Sequence, residues 1–258
     1  MDILGLIPAR YASTRFPGKP LAIIAGKPMI QWVYQRASEV FKYTYVATDD
    51  ERIANAVDGF GGKVVLTSTK HQSGTDRCAE ALESVQATVH TKFDVVVNIQ
   101  GDEPFIQPQQ LQKVTACFSD DTVQIATLVK IFEQNEDVFN PNVPKVTVNC
   151  RGDAIYFSRS VIPFVRGKKP EEWMDAQTFF KHIGLYAYRA NVLKEITRLP
   201  QSKLELAESL EQLRWIENGY RIKVVETNQE TLAVDTPGDL KRVEEYANRM
   251  LKGYGKER

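Results

Sequence analysis

Cysteine and histidine are scarce in these 258 residues, three of each. Cys78, Cys117 and Cys150 form no C-x-x-C pair and are odd in number, so a disulfide framework and a cysteine zinc site are both excluded. Three histidines exclude a His-rich metal site. Net charge is missing too: 33 Lys plus Arg offset 33 Asp plus Glu, which argues against a bulk nucleic-acid binder or a polybasic membrane adsorber. No apolar run approaches the roughly 18 residues that span a bilayer. The first eight residues, with an acid at Asp2, lack the charged flank and long apolar core of a signal peptide. Gly-x-x-x-x-Gly-Lys-Ser/Thr and Gly-x-Gly-x-x-Gly loops are absent as well, which removes the P-loop and dinucleotide fingerprints. A folded cytoplasmic protein is expected, with 43% hydrophobic and 26% charged residues, meeting any polyanion at a local site.

Hydrophobic periodicity sets the fold class. Strands are expected at 3–7, 43–48, 63–67 and 95–99, the last an unbroken Val run that reads as buried on both faces. Between them Ile30, Val33, Tyr34, Ala37 and Phe41 recur at helical spacing, as do Ile53, Ala56, Val57 and Phe60, and then Cys78, Ala81, Leu82 and Val85. Thr48 to Glu51 reads as a capping box and Gly61-Gly62 as the following stop. Alternating strands and helices imply right-handed crossovers, a largely parallel sheet and a ligand crevice beyond the strands' carboxyl ends. From 123 to about 188 an antiparallel excursion is expected, with strands at 125–131, 145–149, 154–157 and 184–188. A single helix is expected over 204–218, with Leu206, Leu210 and Leu213 on one face and Glu208, Glu211, Gln212 and Trp215 on the solvated opposite one. A strand at 221–226 and a helix from Pro237 to about Leu251 close the chain. The organisation expected is one domain over 1–258, with halves at 1–122 and 123–230 and a terminal segment at 231–258.

Charge along the chain is uneven. No carboxylate lies between Asp2 and Glu39, yet Arg10, Arg15, Lys19, Lys27 and Arg36 do. The loop from Pro8 to Pro20 directly follows the first strand, and its hydroxyls and three cations suit a triphosphate, because guanidinium groups bind phosphate oxygens bidentately and Lys adds a point charge. Asp102, in Q-G-D-E-P after the fourth strand, projects toward the same crevice; it is either a turn former or one carboxylate of a Mg²⁺ site completed by phosphate and water. Asp235, in V-D-T-P, is the second candidate acid, with helix N-capping as its other reading. Ser73 to Arg77 caps a helix or reads a base edge. His182 stands alone.

At these residues the chain resembles a known family. The runs I-P-A-R-Y-A-S-T-R-F-P-G-K-P-L from Ile7, H-Q-S-G-T-D-R from His71, N-I-Q-G-D-E-P from Asn98, Y-F-S-R from Tyr156, H-I-G-L-Y-A-Y-R from His182, A-E-S-L-E-Q-L-R from Ala207 and V-D-T-P from Val234 are similar to those of the 3-deoxy-manno-octulosonate (Kdo) cytidylyltransferases. The departures, Gly238, Lys203 and Val143-Pro144, bear on local geometry more than on chemistry.

The resemblance implies a GT-A-like α/β nucleotidyltransferase fold and a homodimer. It also implies transfer of CMP from CTP to the anomeric hydroxyl of Kdo with Mg²⁺, releasing pyrophosphate for lipopolysaccharide synthesis. By the same resemblance Pro8, Ala9, Arg10, Ser13, Lys19, Ser73, Gly74, Arg77 and Gln100 would hold the nucleotide, and Asp102 and Asp235 the metal. Gln100, Arg159, His182, Tyr186, Glu208, Glu211 and Gln212 would line the sugar site, with Arg10, Lys19, Asp102 and Asp235 as the catalytic set. Attack on the α-phosphate of a polyanion needs neutralisation and alignment and no protein nucleophile. A cytidylyltransferase for 8-amino-Kdo or a sialic acid, or a uridylyltransferase, would share the basic loop; a non-catalytic nucleotide-binding module would have no use for both aspartates.

Overall fold

A computed structural model describes residues 1–12, 16–229 and 232–254, with side chains up to residue 249. Its elements in chain order are β1 (Ile3–Ala9), β2 (Ile23–Ile24), β3 (Lys27–Pro28), α1 (Met29–Ser38), β4 (Tyr43–Thr48), α2 (Glu51–Gly59), β5 (Val64–Leu66), α3 (Gly74–Val89), β6 (Val95–Asn98) and α4 (Pro108–Ala116). There follow β7 (Ile125–Ile131), β8 (Lys145–Val148), β9 (Ala154–Ser158), α5 (Trp173–Ala176), β10 (Phe180–Arg189), α6 (Ala190–Ile196), α7 (Lys203–Glu208), α8 (Gln212–Glu217), β11 (Ile222–Glu226) and α9 (Pro237–Tyr254). The chain divides into two compact units, Met1–Leu111 with Thr231–Arg258, and Gln112–Glu230.

In the first unit β6, β1, β4 and β5 lie side by side, every pair parallel. Val95, Val96 and Val97 are fully buried, as a strand covered on both faces requires. Helix α1 packs on β1 and β4 with Ile30, Val33 and Ala37 inward, and α3 packs with Cys78, Ala81 and Leu82 inward. The C-terminal segment belongs here because α9 turns Val243 and Ala247 into a core with Ile24, Met29, Trp32, Phe105 and Val234. That packing returns Asp235 to the carboxyl ends of the parallel strands. The cap of α2 differs from expectation: Asp50, not Thr48, accepts from the Arg52 amide at 2.9 Å, while Thr48 Oγ1 accepts from the Asp50 amide. Helix α4, with Leu111 and Val114 buried, and the β2–β3 hairpin are additions to the expected elements.

The second unit is the antiparallel excursion. Strand β10 runs antiparallel to β7 and β8, β8 antiparallel to β9, and β11 parallel to β7. The expected helix over 204–218 is two helices, α7 and α8, broken at Ser209, which takes a left-handed conformation (φ 51°). The break overturns the expected faces only in part, since Leu210 and Leu213 are buried as expected. Leu206 is 61% exposed, whereas Gln212 and Trp215 are buried. A buried, bidentate pair holds α7 to α8: Arg214 Nε donates to Glu205 at 2.7 Å, Nη2 donates to its other oxygen, and Nη1 donates to Leu199 O. The fork geometry compensates part of the desolvation of both charges.

Candidate active site

A cavity of about 270 Å³ opens at the carboxyl ends of the parallel strands in the first unit, lined by Pro8, Ala9, Arg10, Lys19, Ser73, Gly74, Arg77, Gln100, Asp102 and Asp235. Every residue assigned above to the nucleotide or the metal is therefore in one place, except Ser13, which lies outside the described residues. The other cations of the acid-free stretch point elsewhere: Lys27 lies over the Trp32 ring at 4.9 Å and Arg36 pairs with Glu39, while Arg15 is outside the described residues.

Local geometry explains the convergence. The Gly18 amide donates to Tyr11 O at 2.9 Å and closes the neck of the basic loop. Gly18 has φ 70°, and a Cβ there would come within 3.0 Å of the Tyr11 ring, so the position favours glycine twice over. Arg52 stacks on the Tyr11 ring, its guanidinium carbon 3.3 Å from the ring centroid. The short 3-10 turn that follows carries Lys19 inward. Gly101 permits the second approach, since a Cβ there would sit 3.1 Å from Pro8 O.

The Val234 amide donates to Asp102 O at 2.9 Å, and this backbone bond sets the two acid-bearing loops side by side. The N-capping alternative for Asp235 falls away: Thr236 and Asp239 exchange the capping bonds of α9, and Asp239 accepts from the Asp235 amide. The Asp235 carboxylate instead lies 3.5 Å from Lys19 Nζ, which donates to Asp102 at 2.7 Å.

On the opposite wall Ser73 caps α3 in a reciprocal box with Asp76. Arg77 reaches the wall almost wholly buried, with Nη2 donating to Asp49 at 2.8 Å and Nη1 to Thr67 at 2.5 Å. Its guanidinium thus ties the ends of β4 and β5 to α3. His71 and Gln72 also line the cavity, a contribution that periodicity could not reveal; His71 Nε2 pairs with Glu80, which also accepts from the Ser68 amide.

The sugar-assigned residues other than Gln100 form a cluster inside the second unit. A bulge in β10 between Ile183 and Tyr186 shortens the strand, so that the rings of His182 and Tyr186 come to 5.2 Å; four regular strand steps would separate them by roughly 13 Å. Thr127 Oγ1 holds the bulge, donating to Leu185 O at 2.8 Å and lying 3.0 Å from His182 Nε2. With its one hydrogen on Leu185 O, Thr127 accepts from His182 Nε2–H, and Nδ1 is left as the acceptor. Burial pushes the His182 imidazole down to about 3. Burial, and then the Glu211 charge, push the Tyr186 phenol well above its usual range. Among the described residues, Tyr186 Oη and Gln212 Nε2 are buried with no partner in hydrogen-bonding geometry.

Glu208 and Arg159 are joined in a network of their own. Glu208 accepts from the Ser158 hydroxyl at 2.6 Å and from the Arg159 amide at 2.9 Å. The Arg159 guanidinium donates to Glu208 O, Ser209 O and Pro141 O. The pair clamps the left-handed turn at Ser209, the feature that turns Gln212 inward.

The parallel sheet with its basic loop and paired aspartates is the architecture of a nucleotidyltransferase. A solved cytidylyltransferase from Leptospira borgpetersenii, 15% identical, shares the fold with a TM-score of 0.61 over 95% of this chain and 85% of that one. A model of the cytidylyltransferase family matches residues 4–224. The 3-deoxy-manno-octulosonate cytidylyltransferase of Parabacteroides distasonis is 61% identical over 94% of this chain and 96% of its own length. A solved CMP:2-keto-3-deoxy-manno-octonic acid synthetase complexed with CTP is 41% identical, with a TM-score of 0.88 over 97% of this chain and all of that one. The chain belongs to the 3-deoxy-manno-octulosonate cytidylyltransferase family.

Proposed function

We propose that this protein transfers CMP from CTP to the anomeric hydroxyl of Kdo, releasing pyrophosphate, as a Mg²⁺-dependent step of lipopolysaccharide synthesis in the cytoplasm. The observation that carries this reading is the convergence of Arg10, Lys19, Asp102 and Asp235 on one cavity, in a family whose relatives bear that activity's name. Arg10 and Lys19 bind the triphosphate, and their charge counts most in the transition state, where negative charge accumulates on the departing pyrophosphate. The Ser73 turn and Gln100 offer polar edges to the base, on a wall that Arg77 holds rigid.

The donor set fits a hard divalent cation: two carboxylates from different loops already share a cationic partner in Lys19 Nζ. Among the described residues no group of three or more His, Cys, Asp or Glu competes for a metal. Asp102 and Asp235 would hold Mg²⁺ together with phosphate and water, and the ion would supply charge neutralisation and polarisation of oxygen.

In the second unit His182 stays neutral and presents an acceptor, Tyr186 stays protonated and presents a donor, and Gln212 adds a second donor. These groups match a polyhydroxyl acid without changing charge near neutral pH. The Arg159–Glu208 clamp positions them. We also assign a homodimer to this family member; Phe164, 73% exposed, and Phe139 pack on Trp173 in the second unit and give a second copy an apolar face to cover. Among the described residues no helix is long and apolar enough to cross a membrane.

The test is pyrophosphate release with a panel of nucleotides and acidic sugars. Turnover should require CTP, Mg²⁺ and Kdo together; preference for 8-amino-Kdo or a sialic acid would reassign the sugar, and preference for UTP would reassign the base.

A further inference from the structure

We propose that Lys19 competes with the divalent cation for Asp102 and Asp235, so that the protein takes up its metal as the metal–CTP chelate and not as the free ion. This rests on the nucleotidyl-transfer reading above and adds to it an order of assembly. Lys19 Nζ donates to Asp102 at 2.7 Å and lies 3.5 Å from Asp235, so one ammonium pairs with both carboxylates that would hold the ion and offsets half of their charge. The contact is partly shielded, with the Lys19 side chain 15% exposed and Asp102 29%. Its backbone is anchored by the turn after Gly18, where the Leu21 amide donates to Gly18 O at 2.9 Å and the Ala22 amide to Lys19 O at 3.0 Å.

A free divalent cation approaching these oxygens meets a compact positive charge already bonded to them and must break that bond. A triphosphate changes the balance. Its oxygens in the same cavity offer Nζ another anionic partner, and the carboxylates are released to the cation that arrives with the nucleotide. Metal and triphosphate binding are then positively coupled through a single side chain, and by linkage each strengthens the other by the same factor.

Titration of Mn²⁺ by calorimetry and electron paramagnetic resonance, without nucleotide, tests this on wild type, Lys19→Met and Lys19→Gln. Circular dichroism melts verify that each variant is folded. Both variants should bind free Mn²⁺ at least tenfold more tightly than wild type, whereas the preformed Mn–CTP chelate should bind at least tenfold more weakly to them. Free Mn²⁺ affinity in both variants equal to or weaker than wild type overturns the competition. Asp102→Asn separates the two levels. If it loses Mn–CTP while the lysine variants gain nothing for free Mn²⁺, the competition alone is wrong; if it binds Mn–CTP as wild type does, the metal assignment falls and the competition with it.

Discussion

Acidification should remove stability through His182 in a way one substitution abolishes. Burial holds its imidazole at about 3, against 6.5 for the free side chain. A folded-state value below the unfolded one means that the unfolded chain binds the extra proton between those limits. The stability held by the neutral ring is therefore complete above about 6.5 and is lost as pH falls toward 3. One such group contributes a slope of up to about 1.4 kcal/mol per pH unit; between pH 7 and 5 the sum is about 2 kcal/mol, the first pH unit contributing least. His182→Gln also forfeits ring contacts with Phe157 and Tyr186, but that cost is independent of pH. Urea unfolding of both proteins at pH 7 and 5 should show the stability gap narrowing by about 2 kcal/mol at the lower pH. Titration followed by NMR should show one imidazole that stays neutral at pH 5 and is missing from His182→Gln. An unchanged gap, together with an imidazole at this position that titrates near 6.5, would refute the argument and with it the neutral-acceptor role.

Asp102→Asn and Asp235→Asn should each lower kcat/KM by about 10²–10³-fold, and EDTA should stop the wild-type enzyme; pyrophosphate release in metal-free buffer contradicts this. Arg159→Ala should raise the Kdo requirement and lower the melting temperature, because the left-handed turn at Ser209 loses two carbonyl contacts and Pro141 O a third, while CTP affinity by calorimetry stays within about threefold, well under 1 kcal/mol. Glu205→Ala strands the buried Arg214 charge and should cost about 3–5 kcal/mol in chemical denaturation. Gly101→Ala drives a Cβ to 3.1 Å from Pro8 O, a backbone atom with little room to yield. It should weaken CTP binding and cost about 1–3 kcal/mol.

Much of this was legible because it is written locally. The Val95–Val97 run, the i, i+3, i+7 spacing of Ile30, Val33 and Ala37, and the capping alternative at Ser73 each depend on neighbours within a turn or two, and each forms. The placement of the basic loop and Q-G-D-E-P at one crevice followed from a general property of parallel sheets, since loops after adjacent strands share an end. The quoted motifs marked the family because they span nearly the whole chain.

Tertiary structure decided the rest. Periodicity continued the helix through Ser209, but the carbonyl bonds from Arg159 hold a left-handed residue there, and a residue more than forty positions upstream cannot enter a 100° projection. The bulge that brings His182 to Tyr186 depends on Thr127 in another strand. Asp102 and Asp235 meet because Val234 pairs with the Asp102 backbone and α9 buries Val243 and Ala247. Residue type and spacing report which groups are present and which local conformations are inexpensive. Which carboxylates share one cation, and which helix face turns inward, depends on long-range contacts whose partners no local window contains.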